Sequence, residues 1–138
     1  MTWFKNLILG AAAFITAHAV EVYRWRDWFD ASNQSGPWFL NNGTAVAVTS
    51  AAVAGAAALS ALLWARNGRH AARQSLEVAA GAVLAMAITL VVVGPGNIFP
   101  IVVAVGTMIL TVSALMGGWL GYAAAWGLGA RLDPPEPP

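Results

Sequence analysis

The chain has 138 residues, of which 59% are hydrophobic and 9% charged, with a formal net charge of +1. Soluble domains carry about 25% charged residues, and so short a chain cannot hide this much apolar surface in one water-soluble core, so the fitting solvent is lipid. The small net charge argues against nucleic acid as a partner, which needs a basic stripe, and the lack of cysteine excludes disulfides, thiol chemistry and thiolate metal sites.

Four apolar stretches predict an all-α bundle of four transmembrane helices, at about 3–21, 44–65, 76–93 and 98–128. Each approaches or exceeds the roughly 20 residues that cross a hydrocarbon core about 30 Å thick. They make one domain over 1–132. The tail 133–138 is rich in proline and is expected to be extended and disordered.

The uninterrupted apolar core of the first stretch, 7–17, is short for a span. Lys5 precedes it, and Ala17, His18 and Ala19 fit a small-x-small cleavage site, the layout of a secretory signal peptide. Trp3 and Phe4 lengthen the stretch, and one lysine makes a meagre basic region. A retained first helix is expected.

The connection 21–42 is the longest. Trp25, Trp28, Phe29, Trp38 and Phe39 make it aromatic, as befits a segment lying in the membrane interface. Arg24, Arg26, Asp27 and Asp30 read as a solvated, partly paired cluster. The match of Asn42, Gly43 and Thr44 to the N-glycosylation spacing is read as chance.

The second stretch is mostly alanine. Val46, Val48, Val53, Leu59, Leu62 and Leu63 favour insertion by about 2 to 4 kcal/mol in all, less what Thr49, Ser50, Gly55 and Ser60 subtract. Gly43, Ala47, Ala51 and Gly55 recur every four residues, the small-xxx-small stripe that lets membrane helices approach closely. Gly117 and Gly121 offer a second such site in the fourth stretch. Either stripe can pack inside the bundle or dock another protein. Leucine at Gly55 or Gly117 is expected to disrupt association and leave insertion intact.

The connection 66–75 is short and basic. Arg66, Arg69 and Arg73 can meet anionic headgroups at about 1 kcal/mol per charge. With Lys5 and Arg131 they form the more basic side, which the positive-inside rule makes cytoplasmic, giving N-in and C-in. Ala, Gly and Arg usage suggests a GC-rich bacterial genome, and so a multi-pass protein of the inner membrane. Gly94 to Asn97 is read as a tight turn, and Pro100 falls in the first helical turn, where a missing N–H is tolerated. The fourth stretch ends with Trp119, Tyr122 and Trp126, read as an interfacial aromatic belt.

Ionisable groups within membrane segments are functional candidates. His18 and Glu21, at i and i+3, share a face of the first helix. They could form a proton-transfer pair, a metal site or, through His18, an axial haem ligand. The bland alternative is a polar pair at headgroup level. His70, the only other histidine, falls in the opposite connection, so a bis-histidine haem within one chain is disfavoured. Glu77 opens the third helix, where the helix dipole favours an anion. Arg73, one turn earlier, is expected to form a structural ion pair with it. No hydrolase, kinase, P-loop, dinucleotide or zinc-protease motif occurs.

The expected function is therefore non-catalytic: an accessory or structural subunit of a membrane complex, or a homo-oligomer, without a cofactor. One alternative is a small transporter or channel with a polar path near His18, Glu21 and Glu77. Another is a haem-binding redox subunit through His18.

Overall fold

The computed structural model describes residues 2–24, 43–93 and 99–128. They form four helices: α1 (Thr2–Arg24), α2 (Gly43–Trp64), α3 (Gly68–Val93) and α4 (Phe99–Gly127). Each contains a stretch long and apolar enough to cross a membrane. At 1.5 Å per residue the helices are about 33 to 44 Å long, which exceeds the hydrocarbon thickness of about 30 Å. The aromatic connection 25–42, residues 94–98, which include the expected turn at 94–97, and the Pro-rich tail lie outside the described residues.

One boundary differs in kind from the sequence reading. α3 begins at Gly68, not near residue 76, so the basic segment read as a loop is mostly helix. Asn67 starts it: its side-chain Oδ1 accepts the backbone N–H of His70 at 2.8 Å, a hydrogen bond that satisfies one of the unpaired donors of the first turn. Apolarity marks where a helix can enter lipid. It does not mark where the helix begins, and Arg, Gln and Ala are all good helix formers.

The helices pack as a diamond. α2 and α3 each touch all three other helices, while α1 and α4 occupy opposite corners. The most extensive pairings are α2 with α4 and α1 with α3. Glycines make both possible. A methyl group built on Gly10 of α1 would overlap the backbone carbonyl of Val78, and one on Gly81 of α3 would overlap that of Leu7. Gly117 and Gly121 of α4 seat the carbonyls of Ala54 and Ala58 of α2 in the same way. With lipid outside, no hydrophobic force pushes helices together, so close backbone approach and dispersion must hold them.

The distribution of side chains is inside-out relative to a water-soluble protein. The buried apolar residues are mostly alanines, with Phe14, Val53, Val78, Met86, Leu90 and Leu110 as the larger members. The large aliphatics lie outside: Ile8, Ile15, Leu84, Ile88, Val92, Met108, Val112, Met116 and Leu120 are all exposed. In water this would be an apolar surface far beyond what monomers tolerate. In lipid it is the matching surface. Buried Ser75 and half-buried Thr89 and Ser113 return their hydroxyls to the carbonyls of Ala71, Ala85 and Ile109, four residues back in their own helices.

Candidate functional site

Among the described residues, four of the five buried polar side chains, Asn6, Ser60, Gln74 and Ser75, gather at the basic end of the bundle, where Lys5, Arg66, Arg69 and Arg73 lie exposed. Glu77, on the second turn of α3 after Arg69, is the centre. Arg73, one turn earlier, donates its Nε–H to Glu77 Oε1 at 3.0 Å. From α1, Asn6 donates its side-chain N–H to Glu77 Oε2 at 2.7 Å. From α2, the hydroxyl of Ser60 donates to Asn6 Oδ1 at 2.6 Å. Three helices are thereby tied by three consecutive hydrogen bonds. Asn6 and Ser60 are fully buried, while the Glu77 side chain retains 18% exposure and that of Arg73 73%.

This placement follows from local packing. The glycine contact of Gly10 with Val78 and of Gly81 with Leu7 fixes α1 against α3. Asn6 stands one turn before Gly10, and Glu77 one turn before Gly81, so the same crossing brings them together. The carboxylate has a charged donor and a neutral donor. Hydrogen bonds of this charge-assisted kind are the stronger ones. The exposed Arg73 pair by itself adds little.

Near Glu77 a second polar side chain is buried. Gln74 is 1% exposed, and neither its Oε1 nor its Nε2 has a partner within the protein. At the same end, Trp119 of α4 is exposed and stands over the start of α3, its ring 3.5 Å from where a β-carbon on Gly68 would sit. Asn67, Gly68, Arg69, Ala72 and Trp119 line an open cleft of about 630 Å³. Tyr122 stacks edge-on to Trp119 with centroids 6.3 Å apart, and packs against the buried Ala61, Ala65 and Ala71. Trp126 is 73% exposed.

His18 lies at the other end of the bundle. Twelve residues separate it from Asn6, which is about 18 Å along α1. It is half-buried, and its ring stacks on Phe14 at 5.9 Å. The structure thus brings Glu77 together with Arg73 and separates it from His18. Glu21 continues α1, but its side chain, like Trp25, Trp28 and Trp38, falls outside the described residues. Among the described residues no three His, Cys, Asp or Glu side chains converge as metal ligands.

The two small-residue stripes have different positions. Gly117 and Gly121 are buried against α2. Ala47, Ala51 and Gly55 are exposed, and a methyl group added to Gly55 would meet nothing within 4 Å. The surroundings of Gly43, at the start of α2, are not among the described features.

Sequence reading missed Asn6, Gln74, Gly10 and Gly81. Asn6 had a usable signal, as an amide side chain interrupting an apolar stretch. Its partner had none, since Glu77 stands 71 positions away.

The class that fold and site define is a polytopic bundle of four helices suited to a membrane, with a polar clamp at its basic end. Compared with models of protein families, with curated proteins and with solved structures, the chain matches none.

Proposed function

We propose that this protein is a non-catalytic, multi-pass protein of a bacterial inner membrane that acts by packing against further transmembrane helices, as an accessory subunit or as a homo-oligomer. The observation that carries this reading is the exposed stripe of Ala47, Ala51 and Gly55. In the same molecule, small residues at the same spacing seat a neighbouring helix wherever Gly117 and Gly121 meet α2. The outward face of α2 presents small residues in the same way, and among the described residues nothing lies within 4 Å of a methyl group added at Gly55. The orientation that goes with this reading puts the basic end, with Lys5, Arg66, Arg69 and Arg73, in the cytoplasm.

Native mass spectrometry of the full-length protein, released from its own membranes in mild detergent, tests it. Additional polypeptides or a second copy are expected, and Gly55→Leu is expected to lose them while still inserting. A lone monomer for both proteins would refute the reading.

Transport and haem binding draw less support from the geometry. His18 and Glu77 stand at opposite ends, with Phe14, Val53, Val78, Ala82 and Met86 packed between them.

A further inference from the structure

The interior of the bundle changes character at its basic end. The middle is closed by Phe14, Val53, Val78, Ala82 and Met86, all buried and apolar. Nearer the basic end the buried side chains are Asn6, Ser60, Gln74 and Ser75, beside Ala61, Ala65 and Ala71. Most of these are small, and four are polar.

Gln74 is the anomaly at this end; toward the other end Thr49 is also buried with its hydroxyl unpartnered, but it stands alone there among the described buried polar side chains. The Gln74 amide carries two donors and an acceptor with two lone pairs, yet neither atom meets a protein partner and the side chain is 1% exposed. Each such buried group left unpaired costs about 1–3 kcal/mol. Buried polar groups in folded proteins are satisfied by protein or by ordered water, and a water needs two to four polar partners. Those partners stand nearby. Gln74 and Glu77 are at i and i+3, neighbours on α3, and Glu77 leads through Asn6 to Ser60.

Charge decides what the guest is. Lys5, Arg66, Arg69 and Arg73 lie at this end, where Glu77 carries the one carboxylate among the described residues. Both Glu77 oxygens already accept N–H donors. A metal cation would meet a net positive field, and an anion would meet the carboxylate. The fitting guest is neutral, small, and both a donor and an acceptor.

We propose that Gln74, Glu77, Asn6 and Ser60 bound a water-binding pocket that opens past Arg73 at the basic end and is closed toward the opposite end by the layer of Phe14, Val53, Val78, Ala82 and Met86. The bundle is then wet for part of its length and dry beyond, and Glu77 communicates with one aqueous phase only. This inference is independent of the packing reading, because it concerns the interior and not the outer face of α2.

The chain has no cysteine, so single cysteines report accessibility directly. Arg66→Cys, Gln74→Cys, Ser60→Cys and Val53→Cys are introduced into the full-length protein in proteoliposomes and exposed to the small, uncharged methyl methanethiosulfonate. Only the thiolate reacts, and a thiol in a dry layer stays protonated, so Gln74→Cys and Ser60→Cys are expected to label within about a hundredfold of the Arg66→Cys rate while Val53→Cys stays inert. Thermal unfolding checks that each variant is folded; if Gln74→Cys is not, the nearly isosteric Ser60→Cys decides. Inertness of the folded polar-site variants overturns the pocket. Labelling of Val53→Cys at their rate overturns its closed end and replaces it with a path through the bundle.

Discussion

The two faces of α2 have nearly the same composition and opposite situations. One presents Ala54 and Ala58, whose carbonyls fill the space left by Gly117 and Gly121 of α4. The other presents Ala47, Ala51 and Gly55 to the surroundings, with open space where a side chain on Gly55 would lie. Small residues at four-residue spacing therefore create the capacity for close contact without choosing the partner. In a bilayer the choice matters, because a small-residue face without a neighbour offers lipid only a shallow surface and forgoes the dispersion that a fitted helix would supply.

The comparison is broken most strongly on the inner face. Gly121→Leu or Gly117→Leu must push a side chain into the backbone of α2, where the obstructing atoms cannot rotate aside. Overpacking of this kind costs about 1–3 kcal/mol or more, so either variant is expected to lose the wild-type unfolding transition in bicelles. The sequence expectation for Gly117→Leu is disrupted association with insertion intact; the seating of Gly117 against α2 adds a loss of folding within the chain itself.

A smaller loss is expected from the polar clamp. Asn6→Ala removes the donor to Glu77 Oε2 and the acceptor of the Ser60 hydroxyl together. Interhelical hydrogen bonds in membranes are worth about 0.6 kcal/mol on average and up to about 1.7, so the expected destabilisation is about 1–2 kcal/mol, read from the shift in denaturant midpoint. A double-mutant cycle of Asn6→Ala with Glu77→Gln should show coupling, while one of Asn6→Ala with Gly55→Leu should not.

On the outer face, Gly55→Leu is expected to leave unfolding of the isolated chain within about 0.5 kcal/mol of wild type. It is expected to weaken association by about tenfold, equivalent to about 1.4 kcal/mol, measured by energy transfer between labelled copies, or with whichever partner co-purifies. Equal effects of Gly55→Leu and Gly117→Leu on folding would erase the distinction between the faces. The smallest effect concerns the first helix. Asn6, Leu7 and Gly10 are all engaged with α3, so the intact mass from native membranes is expected to retain residues 1–19.

Much of the fold was legible in the sequence, because burial in lipid is an averaged property. A run of some twenty apolar residues identifies a potential span whatever its neighbours are. The pairing of Arg73 with Glu77 was legible too, since i and i+4 on a helix are neighbours by geometry alone. The clamp was not. Asn6, Ser60 and Glu77 come from three helices, and in the sequence they are one amide, one hydroxyl and one carboxylate without shared spacing.

Sequence alone thus determined the four apolar stretches, the alanine-rich second helix and the basic cluster between the second and third stretches, because each follows from local composition and helical period. Tertiary structure decided the rest. Which glycines seat a neighbour depends on where two helix axes cross, and that crossing fixed Gly10 and Gly81 as contacts and left Gly55 outside. The same crossing drew Asn6 onto Glu77 and shut Gln74 inside. Long-range contacts are set by the relative rotation and depth of whole helices, quantities that one chain's periodicity leaves open.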